Sequence, residues 1–264
     1  MISFSSVWAI TLRHLRLWKH DPNIPLFFLY WPLLDVLMFG YLGMWVSRSH
    51  ASEFNNYSLI AIVCLLCFQV CSRGCNYLCT FLNEELWSSN VVNLFSLPLQ
   101  LAEWICASII FTAIGCTITA IAGIGFAVTL YDVSFSDLAY NFIVFAPPLF
   151  LSCIWLGFTA LSFLILFGKR SIELAFVFTW FFLPFCGAYF PIDVLPGWGK
   201  TISSFLPMTP VFQGLRGLLQ NGQDATPFLI KGYFLGLLYA AVGIALFVYN
   251  FNKAKKSGLA RLTE

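Results

Sequence analysis

The chain has 264 residues, 59% of them hydrophobic and only 10% charged, with a mean hydropathy of +0.82. A water-soluble domain carries about a quarter charged residues because its surface must be solvated, so lipid is the solvent for most of this chain. A net charge of +2 is too small to mark a nucleic-acid partner, and 29 Phe, 9 Trp and 10 Tyr exclude disorder.

Residues 1–22 read as an interfacial amphipathic helix. Phe4, Trp8, Thr11, Leu12, Leu15 and Trp18 recur at helical spacing, while Arg13, Arg16 and His20 share another face. A basic flank that only anchors topology is the alternative. Asp21-Pro22 breaks this helix. A full-length apolar segment follows, without the short apolar stretch and cleavage site of a secretory signal.

A hydrocarbon core of about 30 Å needs about 20 mostly apolar helical residues. Six stretches meet that length: 24–46, 57–79, 104–130, 138–167, 172–190 and 228–249. The fourth contains Pro147-Pro148, which predicts a kink or strong tilt. The expected fold is therefore an all-α polytopic membrane protein with six transmembrane helices in a single domain, 1–264. Six spans place both termini on one side with Arg13, Arg16, Lys19, Arg73, Lys169, Arg170, Lys253, Lys255, Lys256 and Arg261. Arg48, Lys200, Arg216 and Lys231 fall on the other side. Positively charged loops stay inside, so cytoplasmic termini are expected.

Several residues within the spans carry chemistry. Asp35 lies halfway along the first span, where an unpaired charge costs at least ~3 kcal/mol. It requires a polar partner on a neighbouring helix or a place in a substrate path. Arg73, Glu103 and Glu173 are candidates for pairing across helices. Cys64, Cys67, Cys71, Cys75 and Cys79 form one helical stripe. The stripe reads as a seam of small residues; a soft-metal track is the alternative, but it lacks Met or His partners. The nine cysteines are an odd count on apolar runs, not a secreted disulfide framework. His14, His20 and His50 are expected outside the hydrocarbon and show no metal-ligand or hydrolytic spacing.

Two loops are unusual. In the 80–100 loop, Glu84 and Glu85 precede Leu86, Trp87, Val91, Leu94 and Phe95, which predicts a short helix with the carboxylates at its N-terminal end. Its apolar face suits either a docking protein or its own membrane domain. Segment 191–227 is too apolar for a solvated loop, and its prolines and glycines suggest two half-helices dipping back into the outer leaflet. Within it, Thr209-Pro210 reads as an N-cap followed by the first helical residue.

The order of these segments resembles the permease subunit of bacterial ABC exporters of the type-2 (polysaccharide, lipid and drug exporter) family. Two stretches carry the likeness: NEELWSSNVVNLFSLPLQLAEW (83–104) and FPIDVLPGWGKTISSFLPMTPVFQGLRGLL (190–219). The second is similar to the family pattern F-P-x-x-x-L-P followed by P-x-T/S and an arginine. In the first, Trp87-Ser88-Ser89-Asn90 stands where many members carry Gly-Thr.

The resemblance implies a homodimer in the bacterial inner membrane with two separate ATPase subunits, which hold the ATP and Mg. No phosphate-binding G-x-x-x-x-G-K-[ST] occurs in this chain, so neither catalytic nor metal residues are assigned to it. The resemblance assigns ATPase coupling to Glu84, Glu85, Leu86, Trp87, Asn90 and Leu94. It assigns an outer gate to the segment of Pro191, Pro196, Trp198, Pro207, Pro210 and Arg216. Asp35, Phe178, Trp180, Phe181, Phe185 and Tyr189 are placed at the cavity or dimer interface. An amphipathic or lipid-linked glycan, lipid or drug is the expected cargo. A membrane enzyme acting on lipid and a secondary transporter or channel are the competing classes.

Overall fold

In a computed structural model of the chain, the described residues are 3–20, 23–49, 55–88, 90–96, 99–131, 134–168, 177 and 180–257. Among them there is no strand. The helices are α1 (Phe4–His20), α2 (Asn23–Ser49), α3 (Asn55–Trp87), α4 (Val91–Ser96), α5 (Leu101–Tyr131) and α6 (Phe135–Phe167). After single 3-10 turns at Leu183–Phe185 and Ile192–Val194 come α7 (Gly197–Phe205), α8 (Thr209–Asn221) and α9 (Thr226–Ser257). Among the described residues, four stretches are long and apolar enough to cross a membrane: Ile60–Trp87, Leu101–Tyr131, Phe135–Phe167 and Thr226–Lys256. The chain is thus an all-α, membrane-embedded protein. Most of the fifth expected span, including Phe178, lies outside the described residues, as does Glu173.

α3 is the central helix: 94% of its apolar stretch is buried, against 33% for α9. It joins two core clusters. One packs Ile60, Cys64, Cys67 and Cys71 with Phe145 and Leu149 of α6 and with Val211, Phe212 and Leu215 of α8. The other packs Tyr77, Leu78, Phe81 and Leu86 with Val7 and Trp18 of α1, Trp104 and Phe111 of α5, and Phe247 and Phe251 of α9. α8 therefore lies at one end of α3, while α1 and the last turns of α9 lie at the other.

The cysteine stripe is the seam of this arrangement. All five thiols are buried and unbridged. Cys71 Sγ approaches the Leu149 carbonyl at 3.5 Å, and Cys116 Sγ of α5 approaches that of Val70 at 3.8 Å. A Cβ on Gly74 would run into Cys153 and lie 3.1 Å from Cys116 Sγ, so three helices meet at that point because a side chain is absent. Small residues allow such approach where lipid offers no hydrophobic drive between helices.

α6 runs through Pro147-Pro148 without ending, and Ser152 Oγ donates to the Pro148 carbonyl at 3.3 Å. α9 covers this stretch with Gly232, Gly236 and Gly243. A Cβ on Gly236 would lie 3.0 Å from Leu151 Cβ, and one on Gly243 would lie 3.0 Å from the Trp155 carbonyl oxygen. The opposite face of α9, with Tyr233, Phe234, Leu237, Val242 and Tyr249, is exposed. In water such a stripe would be untenable; in a bilayer it is the lipid face. Buried hydroxyls satisfy themselves within their helices, as in Thr112 to Ser108 O at 2.8 Å and Ser162 to Phe158 O at 2.9 Å.

α1 lies along the groove between α3 and α5. Its buried stripe is Val7, Ile10, Thr11, His14 and Trp18. Of the expected apolar stripe, Thr11 and Trp18 turn into the bundle, while Phe4 and Trp8 point outward. His14 joins them inside the groove beside Glu84, and Trp18 packs on Phe111 with ring centroids 4.3 Å apart.

Candidate functional site

The densest polar cluster of the described residues stands where α1 meets the end of α3. α3 continues two turns past the expected end of its span, since Asn83-Glu84-Glu85-Leu86 favours helix and Leu86 finds a buried place. Glu84 and Glu85 thereby fall in the last turn of a long helix, not the first turn of a short one. A helix C-terminus repels carboxylates, so cations must offset them, and α1 supplies these. Arg13 Nη1 lies 2.9 Å from Glu85 Oε1, and its Nη2 donates to Oε2 at 3.1 Å. Asn90 Nδ2 donates to the same Oε2 at 2.8 Å.

His14 completes the cluster. Its Nδ1 lies 2.7 Å from Glu84 Oε2. Its Nε2 lies 3.2 Å from Glu85 Oε1, close enough for charge attraction but off the line of a hydrogen bond. The ring stacks on Phe81 at 3.8 Å and is fully buried. Burial alone would lower the His14 pKa, but contacts with Glu84 and then Glu85 carry it above the ordinary value.

The chain then turns sharply. Ser88 N donates to Glu84 O at 3.1 Å, and Asn90 N to Glu85 O at 2.9 Å. α4 follows as a separate six-residue helix. Leu86 and Leu94, together with Val91, are buried in their own chain. Trp87 is 67% exposed, while Glu84 and Asn90 are half-buried. Of the residues assigned to coupling, then, Trp87 offers the largest surface to a partner. Glu103, at the start of α5, forms no ion pair with a described Lys, Arg or His; it accepts from the backbone N–H of Ser3 at 2.7 Å and of Gln100 at 3.1 Å.

A second polar group lies between α2 and α3. Asp35 Oδ2 accepts from Arg73 Nη2 and Gln69 Nε2, each at 3.4 Å, and the Arg73 guanidinium sits 5.1 Å from the Trp31 ring centroid. Asp35 thus has polar partners on a neighbouring helix. Tyr189 stacks on Phe39 at 5.2 Å, and Phe185 meets Trp198 edge-on at 5.7 Å. Trp180 and Phe181 are 45% and 55% exposed.

At the far end of α3, Arg216 Nε donates to Gly187 O at 3.0 Å and Nη2 to Ala188 O at 2.8 Å. That clasp ties α8 to the segment before Pro191. Pro191 and Pro196 are exposed, Trp198 is 63% exposed, and Pro207 and Pro210 are buried. Met208, not Thr209, precedes the first helical residue of α8, so Pro210 is its second residue. Thr209 Oγ1 shares a 3.4 Å hydrogen bond with Ser203 Oγ instead of capping. No three His, Cys, Asp or Glu groups among the described residues converge as a metal site.

Sequence reading missed Arg13 and His14 as site residues. The signal was present: two adjacent carboxylates next to buried apolar positions require cations, and His14 falls on the stripe beginning at Val7. Comparison with known proteins finds no match, either to a family model or to a curated sequence.

Proposed function

We propose that the chain is the membrane permease of an ATP-driven exporter, working as two identical copies on two separate nucleotide-binding subunits that supply ATP and Mg. In this reading it has six spans and cytoplasmic termini in the bacterial inner membrane. Segment 191–227 re-enters the outer leaflet and closes the path outward. The cargo is an amphipathic or lipid-linked glycan, lipid or drug.

One observation carries the reading: an exposed tryptophan stands at the tip of the most deeply buried helix. Trp87 ends α3, and the ion pairs of Glu84 and Glu85 clamp that end to α1. A push at Trp87 acts on a rigid rod that touches both core clusters, which suits transmission of a partner's motion into the bundle. The packing of α1 and the end of α9 into one cluster supports termini on the same side. Buried aromatics are common interface anchors, so Trp87→Ala weakens ATPase association by roughly 2 kcal/mol or more. Co-purification of the ATPase and cargo-stimulated ATP hydrolysis measure it. Full assembly with full stimulation in Trp87→Ala would remove the basis of this reading.

A further inference from the structure

The face of α1 turned away from the bundle combines apolar and cationic groups. Phe4, Trp8 and Leu17 are exposed at 76%, 43% and 45%, and exposed Arg13 and Arg16 stand among them. Ala9, Leu12, Arg13, Arg16 and Leu17 line a groove of about 480 Å³. α1 contains no Asp or Glu. Arg13 turns one edge to Glu85 yet keeps 41% of its side chain exposed. Arg16 forms no ion pair among the described residues.

The depth of this face follows from helix lengths. α3 and α5 have 33 and 31 residues, which at 1.5 Å per residue is roughly 50 and 46 Å against a hydrocarbon core of about 30 Å. α1 lies beside the final turns of α3 and the first turns of α5, with Ser3 bonded to Glu103 and Trp18 packed on Phe111. An overhang at the end where α1 lies sets its first turns at headgroup level.

We propose that the outer face of α1 binds an anionic phospholipid of the adjoining leaflet, with the phosphate at Arg16 and Arg13 and the chain along Ala9, Leu12 and Leu17. A free phosphate would leave Phe4, Trp8 and Leu17 facing water. A zwitterionic lipid brings its own cation next to two arginines. Only a lipid with net negative charge matches both halves of the groove, and this holds whatever the chain transports.

The test uses the full chain in phosphatidylcholine vesicles with a fixed minor fraction of phosphatidylglycerol. Bromine quenchers sit on the chains of one lipid or the other at equal mole fraction, and Trp8 emission is read as the difference from Trp8→Phe. The expected result is that phosphatidylglycerol is enriched about fivefold at Trp8. Arg16→Gln abolishes the enrichment, and Lys231→Gln, an exposed lysine on α9, leaves it intact. Equal quenching by the two lipids overturns the proposal, as does enrichment that survives Arg16→Gln or is lost equally in Lys231→Gln. Absence of quenching by either lipid also overturns it and points to a protein covering α1.

Discussion

His14 makes the attachment of α1 depend on protonation. Its ring is buried between Phe81 and two carboxylates, and its folded-state pKa lies above the unfolded value of about 6.5. The stabilisation is therefore complete below about pH 6.5 and is lost as pH rises through the raised value. Protection of α1 amides, taken as exchange relative to the intrinsic rate at each pH, is expected to be higher at pH 6 than at pH 9, and His14→Phe, which keeps the stack on Phe81, is expected to level the two. Unchanged pH dependence in that variant would assign the effect to other groups. Asp35 and Arg73 form a different kind of contact, with little water near the guanidinium: the Arg73 side chain is 4% exposed. Removing one member of a buried pair costs more than removing both. Arg73→Leu is expected to destabilise by roughly 3 kcal/mol, and Asp35→Leu added to it to regain much of the loss. Thermal unfolding in detergent reads both; a double variant no better than the single would show that Asp35 leans chiefly on other groups.

At the scale of helices, α9 is held to α6 by the absence of side chains. Gly236→Leu would force its Cβ against Leu151 and the Pro148 carbonyl, at a cost of about 1–3 kcal/mol. Leu237→Ala, on the lipid face next to it, is expected to leave the unfolding temperature nearly unchanged. Equal effects of the two would mean that the helices do not meet through these glycines. The cysteine seam of α3 was legible from sequence because small residues at helical spacing have one main use in lipid. The inward face of α1 was not. Stripes beginning at Phe4 and at Val7 are both apolar, and where lipid and protein interior are equally greasy, hydrophobicity does not say which stripe turns inward. The partner decides: His14, off the Phe4 stripe, fits against Glu84. The corner at Trp87 was misread for a related reason. Carboxylates suit a helix N-terminus, so Glu84 and Glu85 read as the start of a short helix, yet glutamate is a good helix former that extends α3, and α1 supplies the missing charge. Phe185, Tyr189 and Arg216 were named without their contacts, since ring pairs and backbone clasps leave no spacing signal.

For the molecule as a whole, the central place of α3 has a consequence for its biogenesis. α3 carries Gln69, Ser72, Arg73 and Asn76, all buried, and the helices that bury its middle, α5 and α6, follow it in the chain. A ribosome delivers α3 after α1 and α2 but before α5 and α6 exist. At that moment Gln69 and Arg73 have only Asp35 of α2 to meet, Ser72 and Asn76 face lipid or the translocation channel, and a centrally placed arginine costs about 2.5–3.5 kcal/mol to insert. The helix that organises the finished bundle thus enters the bilayer as its least committed segment and waits for companions. Chains ended at residue 100 are expected to show α3 incompletely inserted when scored with an acceptor glycosylation site added after α3, which is modified only when α3 passes wholly through the membrane instead of spanning it. Chains ended at residue 168, which include α5 and α6, are expected to reach full-length values. Complete insertion of the shorter chain would mean that α3 needs no help. Otherwise, substitutions in α6 that never touch α3's sequence lower the yield of correctly inserted protein, because the late helices act as the early one's solvent.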